Sequence, residues 1–391
     1  MSKLILVCYV IFLHLVTLVQ SSNAVYNVVS YGAKSDGKTD STKAFLKAWA
    51  SACASVKSST LYVPRGTFLM KAVVFKGPCK NKITVQIDGS IVAPSEYRAL
   101  GTSGFWILFF KVDRVSVYGG TLDAKGAAFW ACRTSGKSCP PGARSITFMS
   151  STNVVVSGLR SINGELSHMG VNGCTNVLIR NVKLIAPDLS PNTDGIHVQY
   201  STGVTITGCN IQTGDDCISI GPGTRNMNMD HIACGPGHGI SIGSLGWSVK
   251  EEGVQNISLT NSIFTGSDNG VRIKTWARAS NGFVRNVAYK NIVMKNVDNP
   301  IIIDQNYCPT AQGCPKQGSG VKISGVTYSD IRGTSGTQVA VKLDCSPTNP
   351  CTDIRLHNIK LTHVSSKITA TSFCKNAGGK STGILIPASC L

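Results

Sequence analysis

Charge is scarce in this chain, and acid is scarcer still. Only 15 % of the 391 residues are charged, and 20 Asp and Glu stand against 38 Lys and Arg. So thin a charge density excludes the solvated, polyelectrolyte class of disordered protein. Aromatic residues are also few, at 7 %. No Cys-x-x-Cys pair occurs among the 15 cysteines, which argues against a zinc site. No apolar run after Val19 is long enough to cross a bilayer, and no low-complexity stretch divides the chain. What remains is a single turn-rich body with 40 glycines and a formal net charge of +18. That excess of cations points to an acidic polysaccharide as partner, or to a basic surface that only aids solubility.

The N-terminus reads as an export signal. Lys3 is followed by the nearly unbroken apolar run Leu4–Val19, and Ser22-Asn23-Ala24 ends in a small residue suited to cleavage. Residues 1–24 are thus expected to be a signal peptide, and 25–391 one secreted domain. Cysteine usage agrees, because 14 remain once Cys8 is set aside, an even number fit for an oxidising compartment. Cys132/Cys139, Cys308/Cys314, Cys345/Cys351 and Cys374/Cys390 read as staples across loops. Cys217 and Cys234 could bridge neighbouring coils, and Cys174 and Cys209 read as buried free thiols. Asn256-Ile-Ser is the one good acceptor for an N-glycan.

One short pattern returns along the middle of the chain: Asp194-Gly-Ile-His-Val, Asp216-Cys-Ile-Ser-Ile, His238-Gly-Ile-Ser-Ile, Asn269-Gly-Val-Arg-Ile-Lys and Asn299-Pro-Ile-Ile-Ile. By subtraction the lead residues fall 22, 22, 31 and 30 positions apart. Aliphatics two apart make a strand with one buried face, and a strand that returns every ~20–30 residues marks a solenoid. Stacked parallel strands lie ~4.8 Å apart, so Asp194, Asp216 and His238 are expected to be neighbours in space. A second set (Asn153, Asn176, Gly203, Asn226, Asn256 and Asn286, each followed by alternating aliphatics) supplies another strand per coil, with stacked structural asparagines. Asp40 or Ser41 is expected to cap a helix running to about Ala54, its apolar side formed by Phe45, Leu46 and Trp49, which closes the open end of the solenoid.

Three of the few acids converge on this file. Asp215 and Asp216 are adjacent, and Gly214 permits a bend that shows both to solvent. Carboxyls held so close cannot both ionise easily. That arrangement suits glycoside hydrolysis, with one carboxyl donating a proton and another activating water; a calcium site or a solvated acidic turn is the alternative. His238, between Gly237 and Gly239, could orient a carboxyl. Arg272 and Lys274 share one face of a strand, are expected to project into the groove, and suit a carboxylated sugar there. Ser219, Ser241 and His197 project from the same column and are read as groove wall.

At these residues the chain resembles a known family. Asn192-Thr-Asp194, Gly214-Asp-Asp-Cys217, Gly237-His-Gly239 and Arg272-Ile-Lys274 match, in order, the signature motifs of the polygalacturonases of glycoside hydrolase family 28, and Tyr307 matches a further tyrosine of that family. The resemblance implies an all-β, right-handed parallel β-helix. It implies hydrolysis of α-1,4-galacturonosyl bonds with inversion. Asp215 would be the general acid, Asp194 and Asp216 would activate water, and His238 would support the acid. Arg272, Lys274, Tyr307 and Asn192 would bind the uronate. No metal or other cofactor is implied; the partner is pectin rather than nucleic acid or membrane, and the protein a monomer of the cell wall. The surrounding text resembles the plant pollen type, whose members typically cut from the non-reducing end; endo action is the alternative. Loops near Cys132–Cys139, Ser244–Gly253 or Trp276–Gly282 would decide between them by closing the groove or leaving it open. A calcium-dependent pectate lyase, a rhamnogalacturonan or xylogalacturonan hydrolase, and a non-catalytic wall-binding protein are the rivals.

Overall fold

In a computed structural model, residues 23–100, 102–315 and 317–391 are described. The expected leader lies outside these residues except for its last two positions. The first strand starts at Ala24 and pairs with Ser59.

The strands stack into two parallel sheets, one of 11 strands and one of 21, and successive coils add to each sheet in order. This is the right-handed parallel β-helix. Five consecutive rungs of the smaller sheet carry the repeated pattern: β1 (Ile196–Gln199), β2 (Ile218–Ile220), β3 (Ile240–Leu245), β4 (Asn269–Trp276) and β5 (Asn299–Tyr307). Their register is the one expected from the spacing. Ile196 stacks on Ile218, Ile218 on Ile240, Ile240 on Val271 and Val271 on Ile301. These aliphatics, with Val198, Ile220, Ile242, Ile273 and Ile303, are buried in one continuous core. Truncating one of them, such as Ile220→Ala, would leave a cavity between fixed rungs and cost about 2–5 kcal/mol.

The asparagine file lies in the larger sheet. Asn153, Asn176, Asn226, Asn256 and Asn286 all adopt the left-handed backbone, with φ between 54° and 59°, a conformation Asn tolerates better than most residues. Asn176 donates to Asn153 at 2.6 Å, Asn256 to Asn226 at 2.8 Å and Asn286 to Asn256 at 3.2 Å. The only good glycan acceptor is therefore a link in this ladder, and its amide nitrogen is already donating.

The N-terminal end is covered by helix α1 (Thr42–Ala54), which buries Ala44, Phe45, Ala48, Trp49 and Ala52. Leu46 does not join that face and is 38 % exposed, because it follows Phe45 by one residue and so points about 100° away. The Asp40 carboxylate accepts from the Thr42 amide at 2.9 Å, whereas the Ser41 hydroxyl accepts from the Lys34 amide instead. Cys53–Cys79 ties the helix to the first coils. The other five disulfides are those anticipated, Cys217–Cys234 included. Cys174 and Cys209 are buried free thiols, and burial pushes the Cys209 thiol up to about 11. Among the described residues no helix is long and apolar enough to cross a membrane.

Candidate active site

The acids sit in the bends that lead into β1 and β2, where main-chain bonds lock one coil to the next. The His238 amide donates to the Asp215 carbonyl at 2.9 Å, the Gly195 amide to the Asp216 carbonyl at 2.9 Å, and the Cys217 amide to the Gly239 carbonyl at 2.7 Å. Two glycines make this closeness possible. A Cβ on Gly214 would lie 2.2 Å from the Ser190 carbonyl oxygen, and one on Gly237 would lie 2.6 Å from that of Asp215. Asp215 and Asp216 therefore turn in a bend rather than alternate along a strand.

Three carboxyls of one residue type have three different surroundings. Asp216 is buried. Its Oδ1 accepts from the Ser241 hydroxyl at 2.7 Å and Arg272 Nη2 at 2.7 Å, and its Oδ2 from Lys274 Nζ at 2.8 Å. Burial alone would favour the proton, but Lys274 and Arg272 outweigh it and hold the carboxyl down to about 2. Asp194 has no cation bonded to it. Burial first, then the negative charges of Asp215 and Asp216, push it up to about 7, against a bond from the Ser219 hydroxyl. That bond is 2.6 Å long, and His197 Nδ1 lies 2.7 Å from the same hydroxyl.

Asp215 is half-buried. Its Oδ1 accepts from His238 Nδ1 at 3.0 Å, and Asn192 Nδ2 approaches its Oδ2 at 3.4 Å. The bond to Asp215 raises the basicity of His238 against the effect of burial, and Nε2 of the same ring lies 3.6 Å from Asp268 Oδ2. Tyr307 stands beside these groups, with Lys274 Nζ 5.2 Å from its ring centre.

The eight residues singled out from the sequence as catalytic or substrate-binding thus gather in one cluster drawn from five consecutive rungs. Arg272 and Lys274 are drawn in on Asp216, with side chains only 12 % and 8 % exposed, rather than standing free in the groove. Ser219 and Ser241, read as plain wall, instead bond the two acids, and they stack in the file that continues to Arg272. Two partners carried no signal in the repeat: Asp268 behind His238, and Arg133, whose Nη2 donates to Asn192 Oδ1 at 3.1 Å. Arg133 belongs to helix α2 (Ala127–Thr134), on the loop stapled by Cys132–Cys139.

Asp215, Asp216 and His238 each offer a ligand atom within 4.8 Å of the others. A cation there would have to displace Arg272 and Lys274, which already neutralise Asp216. The donor set favours acid–base chemistry: an anion fixed by two cations, a carboxyl whose proton affinity is raised, and a third carboxyl backed by imidazole, all in one cluster.

The sequence profile of Glycosyl hydrolases family 28 matches residues 53–385. The chain belongs to that family. It is 53 % identical over 383 residues to a polygalacturonase of Prunus persica, covering 97 % of each chain. It is 41 % identical over 374 residues to an exopolygalacturonase of Platanus acerifolia, covering 95 % of this chain and 98 % of the other. Among solved structures, endo-xylogalacturonan hydrolase from Aspergillus tubingensis superposes with a TM-score of 0.79 at 26 % identity, covering 92 % of this chain and 99 % of that one.

Proposed function

We propose that the protein is a secreted polygalacturonase that hydrolyses α-1,4-galacturonosyl bonds of unesterified pectin, with inversion, releasing units from the non-reducing end. The observation that carries the hydrolytic reading is the inequivalence of the three carboxyls. Asp215 enters with a proton and gives it to the glycosidic oxygen as the bond to the anomeric carbon breaks. Water attacks that carbon from the opposite face and loses its proton to the other acids. Arg272 and Lys274 hold Asp216 ionised, so that it draws on the water as a fixed negative charge. Asp194, ionised when the water arrives, takes the proton and with it is relieved of a charge that burial disfavours. His238 orients Asp215; Arg272, Lys274, Tyr307 and Asn192 surround the uronate.

The exo reading rests on the name of the Platanus relative and on helix α2. Its Arg133 reaches from the loop before strand Arg144–Met149 to Asn192, ahead of β1, which would place this helix as a wall on the N-terminal side of the cleavage centre. Secretion is supported by the leader-like N-terminus and the disulfides.

The test is a product profile on unesterified polygalacturonate, in chelator, for the wild type and Asp215→Asn. Early release of saturated monomer alone, lost in the variant, is the expected result. A ladder of oligomers would replace exo with endo action. Unsaturated product appearing only with added calcium would overturn the hydrolase reading.

A further inference from the structure

On the side of the groove away from α2, three successive coils send out loops at the same corner: 246–253 after β3, 277–282 after β4, and the loop after β5 that carries the Cys308–Cys314 disulfide. The corresponding corner after β2 is the short 221–224. These loops border an open recess of about 510 Å³ lined in part by Trp247, Val249, Arg278 and Pro315.

The recess is joined to the catalytic cluster by a run of rings. Tyr307, beside Lys274, packs edge-on to Trp276 at 5.4 Å, and Trp276 to Trp247 at 5.2 Å. The Arg278 guanidinium lies over both indoles, 4.7 Å from Trp247 and 5.1 Å from Trp276. A stacked guanidinium keeps its N–H edge free to donate, and Arg278 has no carboxylate within salt-bridge distance among the described residues. Trp247 remains 62 % exposed.

An indole so exposed is costly to leave in water, yet its loop is rigidly held. The Glu251 carboxylate accepts from the amides of Gly246 at 2.6 Å and Trp247 at 2.9 Å, and the Glu251 amide is bonded to Asn281 at 3.0 Å. Arg278 is fixed through its own backbone, its amide bonded to Trp276 and its carbonyl to Gly320, both at 2.8 Å. Ring face, forked cation and rigid support are the chemistry that binds a carboxylated sugar, whose C–H face stacks on an aromatic and whose carboxylate takes two N–H bonds.

We propose that Trp247 and Arg278 form a distal subsite for one galacturonate unit of the polymer that continues past the cleavage centre, its ring on the indole and its carboxylate on the guanidinium. The inference rests on the polygalacturonase reading above. It implies that with the N-terminal side walled by α2, the uncut chain leaves along Tyr307 and Trp276 and is gripped again at Trp247. The site then reads chain length as well as bond type.

The measurement is the ratio of kcat/KM for galacturonate hexamer to that for dimer, in the wild type, Trp247→Ala and Arg278→Gln. In the wild type the hexamer is favoured, and each substitution lowers the ratio about tenfold, the size of a lost cation–π or forked contact. Trp247→Phe, which keeps a ring face, restores most of it and guards against loss of fold in the alanine variant. A ratio unchanged in both Trp247→Ala and Arg278→Gln overturns the subsite while the hydrolase reading stands. Wild-type protein that cleaves neither length overturns that reading, and the subsite with it.

Discussion

Two files of stacked polar side chains run along this solenoid, and they obey opposite rules. In the asparagine file most rungs repeat the last, so that amide bonds amide from Asn153 to Asn176 and again from Asn226 through Asn256 to Asn286, with Gly203 as the one break. In the file beside the groove the side chain changes along the stack: His197, Ser219, Ser241 and Arg272 lie in register. Their partners, Asp194 and Asp216, end with proton affinities on opposite sides of an ordinary aspartate. The backbone is equally regular in both. Uniform side chains turn that regularity into stability, and mixed ones turn it into inequivalent charges at fixed spacing.

If so, the two files should fail in different ways. The largest effect is expected for Asp215→Asn, which keeps shape but removes the transferable proton. Turnover should fall by about 10²–10⁴-fold, the usual worth of a general acid, with Tm little changed; a variant retaining wild-type turnover in a reducing-sugar assay would displace Asp215 from that role. Next is Lys274→Ala. It leaves the buried Asp216 half-paired and should cost about 3–5 kcal/mol of stability by denaturant titration as well as activity. Loss of activity alone would mean that Lys274 serves the substrate and not Asp216.

Asp194→Asn should abolish turnover yet raise stability at neutral pH. The folded state binds the Asp194 proton more tightly than the unfolded chain does, so the wild-type contribution is complete below pH ~4. It declines as pH rises towards the folded value of about 7. The Tm advantage of the variant should accordingly be absent at pH 3 and grow by several degrees up to pH 8. An advantage that shrinks with rising pH would contradict the burial of a reluctant anion. The smallest effect is expected for Asn256→Ala, which removes two ladder bonds and forces alanine into a left-handed backbone. About 1–2 kcal/mol of stability should be lost, with turnover per folded molecule unchanged.

Much of this was legible before any coordinates. A period of two within the strand and the recurrence of the lead residue fix the register of β1 to β5, because a slip of one residue would expose Ile218 and Ile220 together. The same register brings Asp194, Asp216 and His238 into one neighbourhood. Roles within the file were less visible. Ser219 and Ser241 differ from plain wall only through which acid each one faces, and Arg272 and Lys274 were expected to stand in the groove rather than clamp Asp216. For a different reason, Asp268 was silent, and for Arg133, Trp247 and Arg278 only the loops that carry them stood out, not the residues. They belong to corners, where the chain leaves the repeat and packs by shape, and no period announces where a corner will fold. Leu46 shows the same limit on a helix, since a face is set by what it packs against.

The unequal intervals in the chain acquire a meaning from those corners. The first lead residues lie 22 apart and the later ones 31 and 30, and the surplus is spent where β3 and β4 hand over to the next strands. A coil cannot stretch, since both its neighbours hold it in register, so extra sequence must bulge outward at a bend. The spacing of the repeat is therefore a contour line of the groove. Where the count stays near 22 the rim is low, and where it jumps a bank rises beside the catalytic floor. Lengthening or trimming a single interval would redraw that bank without moving an acid.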